Sequence, residues 1–184
     1  MREFETILTI KTKLGSNKMK QKNRLSVHLI AQGGIIAALY VVLTYVSYTM
    51  NLSGQLAVQL RLSEALTVLP YFTVSAIPGL TIGCLLANLL TGSVVWDVIF
   101  GSLATLIGAI GTYLLRKYRY TAPIPPILSN TIIVPLILTY AYGLPDGIPF
   151  LMLSVFLGEF VSCGILGTLL QWFLIKHPLV LRQK

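Results

Sequence analysis

Acidic side chains are nearly absent from this sequence. Six Asp and Glu stand in 184 residues, and charged residues of every kind make up only 11%. A soluble domain carries about 25% charged residues, so an ordinary water-soluble fold is excluded. Cysteine and histidine are just as scarce, at two each. Cys84 and Cys163 both lie inside apolar runs, where free cysteine behaves as a small buried hydrophobe. Neither a disulfide framework nor a Cys/His metal cluster has the ligands it needs, so no metal and no cofactor is expected. The sequence has no Walker A loop, no H-E-x-x-H and no glycine spacing of a phosphate loop. Any energy source must therefore come from another chain, or transport is passive. No internal repeat and no low-complexity tract is visible.

What fills the chain instead is apolar sequence, 55% of it, with a mean hydropathy of +0.78. There is no charge from Leu25 to Leu60 and none from Ala65 to Trp96. Uncharged runs of about 18 residues or more form membrane-spanning helices. The pattern predicts an all-α integral membrane protein, a bundle of six transmembrane helices at about 25–48, 56–72, 77–92, 96–115, 126–142 and 149–175. The second stops near Pro70, and Pro78 suits the first turn of the third. The chain then divides into a basic N-terminal tail at 1–23, a transmembrane substrate-binding domain at 24–176 and a short tail at 177–184.

The net charge of +8 raises the question of nucleic acid, but its distribution answers otherwise. Seven of the 14 basic residues fall in residues 1–24. Arg116, Lys117 and Arg119 form a second group, and Lys176, Arg182 and Lys184 a third. Basic clusters beside apolar runs mark the cytoplasmic side of a bilayer, whereas a nucleic-acid reader needs a folded basic face. Six crossings put both termini and the "RKYR" loop in the cytoplasm together, as expected for a multi-pass protein of the cell membrane.

Only Arg61 is left outside these clusters, in the stretch "QLRLSEALTVLP". An ionisable group at bilayer depth is costly unless paired or hydrated, and is by default a functional candidate. Glu64 lies about eight residues into the second expected helix, roughly 12 Å deep. Arg61 and Glu64 are three apart, a spacing that permits a structural ion pair. Such a pair is an expensive device if it only stabilises the fold, because apolar replacements often do as well. Glu159, near the middle of the sixth helix, has no charged neighbour in sequence. It needs a partner from another helix, a ligand or a proton. Asp97 opens the fourth helix, where an acid caps well, and Trp96 beside it could stack on a flat ligand. Asn88 offers both donor and acceptor, as does Gln59, while Asn130 lies toward the inner end of the fifth helix. Tyr140 and Tyr142 fit an interfacial aromatic belt, and His28 sits at the inner edge. Gln59, Arg61, Glu64, Asn88, Trp96 and Asp97 thus gather in the outer half of the bundle, with Glu159 beneath them. A pocket opening outward collects them. Two carboxylates and an aromatic suit a planar ligand with several N–H donors, since a carboxylate bonds two parallel N–H groups at once.

Small residues supply a second pattern. Gly33 and Ala37 are four apart, and so are Gly34 and Ala38, the spacing that lets helices approach closely in lipid. It serves either packing within the bundle or docking on a partner subunit. Gly101, Ala104, Gly108 and Gly111, and likewise Ser154, Gly158 and Ser162, suit packing within the bundle.

The block "QLRLSEALTVLPYFTVSAIPGLTIGCLLANLLTG" followed by "WDVIFGSLATLIGAIGTYLLRK" resembles the QueT-type family of queuosine-precursor transporters, which are substrate-binding S components of energy-coupling factor (ECF) transporters. The resemblance runs from about 25 to 175. "GGIIAALYVVLT" is similar to the S-component docking motif Ala-x-x-x-Ala, with glycine in the first place. The resemblance implies a six-helix protein that is not an enzyme. It would capture a 7-deazaguanine, in the 7-cyano or 7-aminomethyl form or as queuine, at an outward pocket. It would then dock on a transmembrane T subunit carrying two cytosolic ATPases. Other readings are an S component for another vitamin, a self-sufficient secondary carrier, a structural subunit without ligand, and an intramembrane enzyme. The last would have to work with two acids alone, because His28 and His177 fall at the cytoplasmic edge.

"MKQKNRL" from Met19 is already a sufficient basic flank, so Met19 is the expected native start, and the apolar run after it is too long for a cleaved signal peptide. Intact mass spectrometry of the natural protein checks this. A mass that includes residues 1–18 would refute it.

Overall fold

The computed structural model describes residues 27–52, 60–118, 120–143 and 145–177. The expectations for Gln59, Met19, the tail 1–23 and residues 178–184 fall outside the described residues. Among those described there is no strand. Five α-helices and one 3-10 helix follow in order: α1 (Val27–Thr49), the 3-10 helix (Leu62–Tyr71), α2 (Ala76–Leu90), α3 (Val95–Leu114), α4 (Ile124–Tyr140) and α5 (Ile148–Lys176). All five α-helices begin and end within about two residues of the sequence expectation. Helices α1, α3 and α5 are long and apolar enough to cross a membrane, while α2 and α4 are apolar but shorter.

The molecule has the polarity of a membrane protein. Leu39, Val42, Leu85, Leu89, Leu103 and Ile107 face outward, whereas Glu64, Asn88, Asp97, Asn130 and Glu159 are buried. Several buried hydroxyls bond carbonyls of their own helix: Thr44 Oγ1 donates to Tyr40 O and Ser47 Oγ to Leu43 O, each at 2.9 Å. Without water, this is how such groups are held.

The second expected helix is the one that differs. A 17-residue α-helix over 56–72 gives way to a ten-residue 3-10 helix, about 20 Å long at the 3-10 rise and too short to span the ~30 Å hydrocarbon core. Two local causes oppose an α-helix. Pro70 has no N–H to donate. Thr67 Oγ1 donates to Glu64 O at 2.6 Å and so competes for the carbonyl that an α-turn would use. Ser63, Glu64 and Leu66 through Pro70 are all buried, so the segment runs through the interior of the bundle. It packs against a second irregular stretch, the π-helical Phe160–Gly167 within α5.

Glycines set the closest approaches. A Cβ on Gly79 would lie 2.7 Å from Gly33 O, and one on Gly83 would lie 2.8 Å from Tyr40 Cβ and 3.0 Å from Ala37 O. Helix α2 therefore lies directly on the Gly33/Ala37 stripe of α1. A Cβ on Gly108 would lie 2.7 Å from Pro126 Cα, and one on Gly111 would lie 2.6 Å from Pro125 Cβ. The two prolines that open α4 nest on the glycines of α3, as expected for packing within the bundle. The two four-spaced pairs on α1 part company. Gly33 and Ala37 face α2, while Gly34 and Ala38 are exposed, with nothing within 4 Å of a Cβ on Gly34.

Gly79→Ala therefore overpacks the α1–α2 contact against backbone, a defect of about 1–3 kcal/mol. Gly34→Ala adds only helix propensity, about 1 kcal/mol in favour. Thermal unfolding of the purified chain in detergent checks the pair: the first lowers the melting temperature by several degrees, and the second holds or raises it.

Candidate functional site

The 3-10 helix delivers Glu64 to the centre of the bundle. Its start is tethered to α1, because Leu62 N–H donates to Ser47 Oγ at 2.9 Å. Its far side is tied to α5, where Thr67 Oγ1 and Cys163 Sγ are 3.0 Å apart. Glu64 is 2% exposed. Tyr40 of α1 donates its phenol hydrogen to Glu64 Oε1 at 2.5 Å, a short contact. Glu64 Oε2 is buried and bonds nothing.

Glu159 repeats this arrangement on α5. It is 7% exposed and stands at the last residue before the π-helical stretch of α5. Asn130 of α4 donates from Nδ2 to Glu159 Oε1 at 2.9 Å, the partner from another helix that its isolation in sequence demanded. Glu159 Oε2, too, is buried and bonds nothing. Buried polar atoms in folded proteins are almost always bonded. Two orphaned carboxylate oxygens are therefore the most unusual feature of the interior.

Both line one cavity. Arg61, Glu64, Gly101, Thr105, Asn130, Val134, Val155 and Glu159 surround about 350 Å³ of space between atoms, of which about 10 Å³ is open to the centre of a water molecule. That is room for one water. Gly101 keeps the wall open, since a Cβ there would lie 3.1 Å from both Asn88 Nδ2 and Asp97 Oδ1. Asp97, Gly101 and Thr105 are four apart along α3 and present one helix face.

A polar group lies beside the cavity at Arg61. Arg61 Nη2 lies 3.9 Å from Asp97 Oδ2, with the Arg61 side chain 22% exposed. Tyr142, just past the end of α4, donates its hydroxyl to Asp97 Oδ2 at 3.2 Å. Burial first, and the Asp97 carboxylate second, push the Tyr142 phenol above its ordinary pKa, so it keeps the proton it donates. Three segments, the lead-in to the 3-10 helix, the first turn of α3 and the tail of α4, thus meet beside the cavity.

Several expectations change here. Arg61 forms its ion pair with Asp97, so the i, i+3 pairing with Glu64 is not the contact observed. Asp97 lies in the first turn of α3, where its charge suits the helix dipole, but Val94 is the N-cap and no side chain caps it. Trp96 is 59% exposed and stacks on Phe100 at 5.9 Å. It lines an apolar groove between α3 and α4, away from the carboxylates. Asn88 is buried beside the cavity and donates to Asp97 O at 3.4 Å. Tyr140, 78% exposed, fits the aromatic belt, whereas Tyr142 belongs to the polar group. His28 is exposed and bonds Gln32. Among the described residues no group of His, Cys, Asp and Glu could hold a metal ion.

Sequence reasoning does not single out Tyr40 or Thr105, and it reads Gly101 as a packing residue alone and places Asn130 outside the polar cluster. Of the three tyrosines in α1, only Tyr40 shares the stripe of Gly33 and Ala37, a signal that was available. Asn130 was placed by depth alone, and depth does not reveal which helix it faces.

Comparison with known sequences adds to this geometry. A family model described as QueT transporter matches residues 30–176. The curated queuosine precursor transporter QueT of Lactococcus lactis subsp. cremoris (strain MG1363) is 38% identical over 87 residues, 46% of this chain and 50% of the relative. The alignment therefore spans half the length of that relative. No solved structure matches. The span of the family model contains every residue that lines the cavity, and the chain belongs to the QueT transporter family.

Proposed function

We propose that this chain is the substrate-capture subunit of an energy-coupling factor importer. It binds a queuosine precursor of the 7-deazaguanine type at a pocket reached from outside and delivers it inward after docking on a transmembrane T subunit with two cytosolic ATPases. The observation that carries the proposal is the pair of unbonded carboxylate oxygens, Glu64 Oε2 and Glu159 Oε2, in one cavity. They are acceptors without donors, and the edge of a guanine-like base is a row of donors. Family membership and the name of the Lactococcus lactis relative support a queuosine precursor as cargo. Neither the carboxylates nor Arg61 need perform chemistry on it; binding and release suffice.

In this proposal the six helical segments are embedded in a plasma membrane, and both termini lie in the cytoplasm. The basic clusters support that orientation. Capture requires the Arg61–Asp97–Tyr142 group to part, because the cavity as it stands has room for about one water. Docking uses the exposed side of α1. An apolar groove lined by Leu29, Ile30, Gly33, Gly34, Ala37, Pro78, Gly79 and Ile82 runs along the inner half of α1 and α2. Gly34 in this groove and Ala38 one turn further on are both exposed. The missing Walker motif fits an energy supply from the ATPases.

Calorimetry of the detergent-purified chain tests capture. 7-Aminomethyl-7-deazaguanine binds, while riboflavin and thiamine do not, and Glu64→Gln weakens binding at least ten-fold. Wild-type affinity in the Gln variant would remove Glu64 from the site. Docking is tested separately with Gly34→Leu, which the open space at Gly34 accommodates. Ligand binding by the isolated subunit stays unchanged, and co-purification with the T subunit and ATPases is lost. Retained co-purification would move the docking face elsewhere.

A further inference from the structure

The cavity is lined by two carboxyl groups that each keep an unbonded oxygen, and they come from different segments. Glu64 reaches in from the 3-10 helix and Glu159 from α5. Asn130 stands between them, bonded to Glu159 Oε1 at 2.9 Å and near enough to Glu64 to act on it. An amide nitrogen has two hydrogens, so Asn130 can also donate to a ligand. The one cation among the lining residues, Arg61, is already matched by Asp97. The wall thus presents acceptor, donor, acceptor, with more carboxyl groups than cations. Two ionised carboxyls facing one buried space repel each other, and each is costly unless paired.

A neutral deazaguanine answers only part of this wall. Its ring N1–H and amino group satisfy one carboxylate, and its carbonyl accepts one donor. The second carboxylate then faces no donor. A 7-deazaguanine that carries a protonated amine on a one-carbon arm presents, in order along one side of the ring, N–H donors, a carbonyl acceptor and an ammonium donor. That order is the complement of Glu64, Asn130 and Glu159.

We propose that Glu64 accepts from the N–H edge of the base while Glu159 pairs with a protonated primary amine on the ligand, so that the site selects an amine-bearing 7-deazaguanine over its neutral nitrile analogue. Glu64 takes the base because Arg61, its neighbour in the chain, repels an ammonium and can share the ring carbonyl with Asn130. Glu159, whose bonded partner is the neutral Asn130 amide, is the better place for a cation. Charge-assisted bonds of this kind are about twice as strong as neutral ones. This division of labour presupposes the deazaguanine reading of the cavity.

The experiment is calorimetric titration of the full-length purified chain with 7-aminomethyl-7-deazaguanine and with 7-cyano-7-deazaguanine. Wild type, Glu159→Gln and Glu64→Gln are compared after thermal unfolding confirms that each is folded. Wild type binds the amine at least ten-fold more tightly than the nitrile. Glu159→Gln loses that preference while keeping its affinity for the nitrile, and Glu64→Gln weakens both. Equal affinity for the two ligands in wild type overturns selection by amine and leaves the deazaguanine reading standing. That comparison needs no variant, so it decides the question even if Glu159→Gln does not fold. A preference that survives in folded Glu159→Gln overturns the role of Glu159. If neither ligand binds to folded wild type, the deazaguanine reading itself fails, and the proposal with it.

Discussion

A carboxyl group inside a bilayer costs several kcal/mol unless something bonds it, and three of them sit inside this bundle. Much of the interior is arranged around Glu64, Asp97 and Glu159. Asp97 is the most fully answered, with Arg61 at 3.9 Å and the Tyr142 hydroxyl at 3.2 Å. Glu64 and Glu159 are each answered by half, one oxygen held by Tyr40 or Asn130 and the other left free. A fold that needed these groups only for cohesion would bond both oxygens or replace the residue with an apolar one. Half-satisfaction holds each side chain by one oxygen and leaves the other as an unused acceptor.

Positioning those groups depends on how closely the helices approach. Tyr40 reaches Glu64 because Gly79 and Gly83 let α2 lie against the backbone of α1, which fixes the stripe on which Tyr40 sits. Asn130 is positioned in the same way, because Gly108 and Gly111 accept the prolines at the start of α4. In lipid no hydrophobic force drives helices together, so close packing of small residues must supply the contact. Glycine stripes and polar partners are thus one construction. The first sets the distance, and the second uses it.

The five α-helices were legible because apolar runs bounded by breakers and charge are a strong signal, and Glu159 was legible because a lone acid in such a run demands a partner. The 3-10 helix was not. Its apolar content matches an α-helix, and the difference arises from Pro70 and from a Thr67 side-chain bond that only the folded backbone reveals. Arg61 was read against Glu64 because sequence spacing offers that pair, whereas the chain turns at Arg61, with φ −113° and ψ 106°, and carries it to Asp97. Trp96 was drawn in by its neighbour Asp97, but adjacent residues on a helix point about 100° apart. One therefore faces the polar group beside the cavity and the other the outside.

The two irregular segments carry the two half-bonded carboxyl groups. Glu64 lies in the 3-10 helix and Glu159 borders the π-helical stretch, and these two segments pack on each other. Non-helical or distorted backbone at membrane depth is tolerated where protein covers it, and π-helical insertions concentrate at functional sites. A regular α-helix would satisfy its own backbone and present side chains only at its own fixed period. The tighter and wider turns here each change that period, over ten and eight residues. The carboxylates meet across one small cavity because the two helices that carry them both depart from the α-helical repeat there.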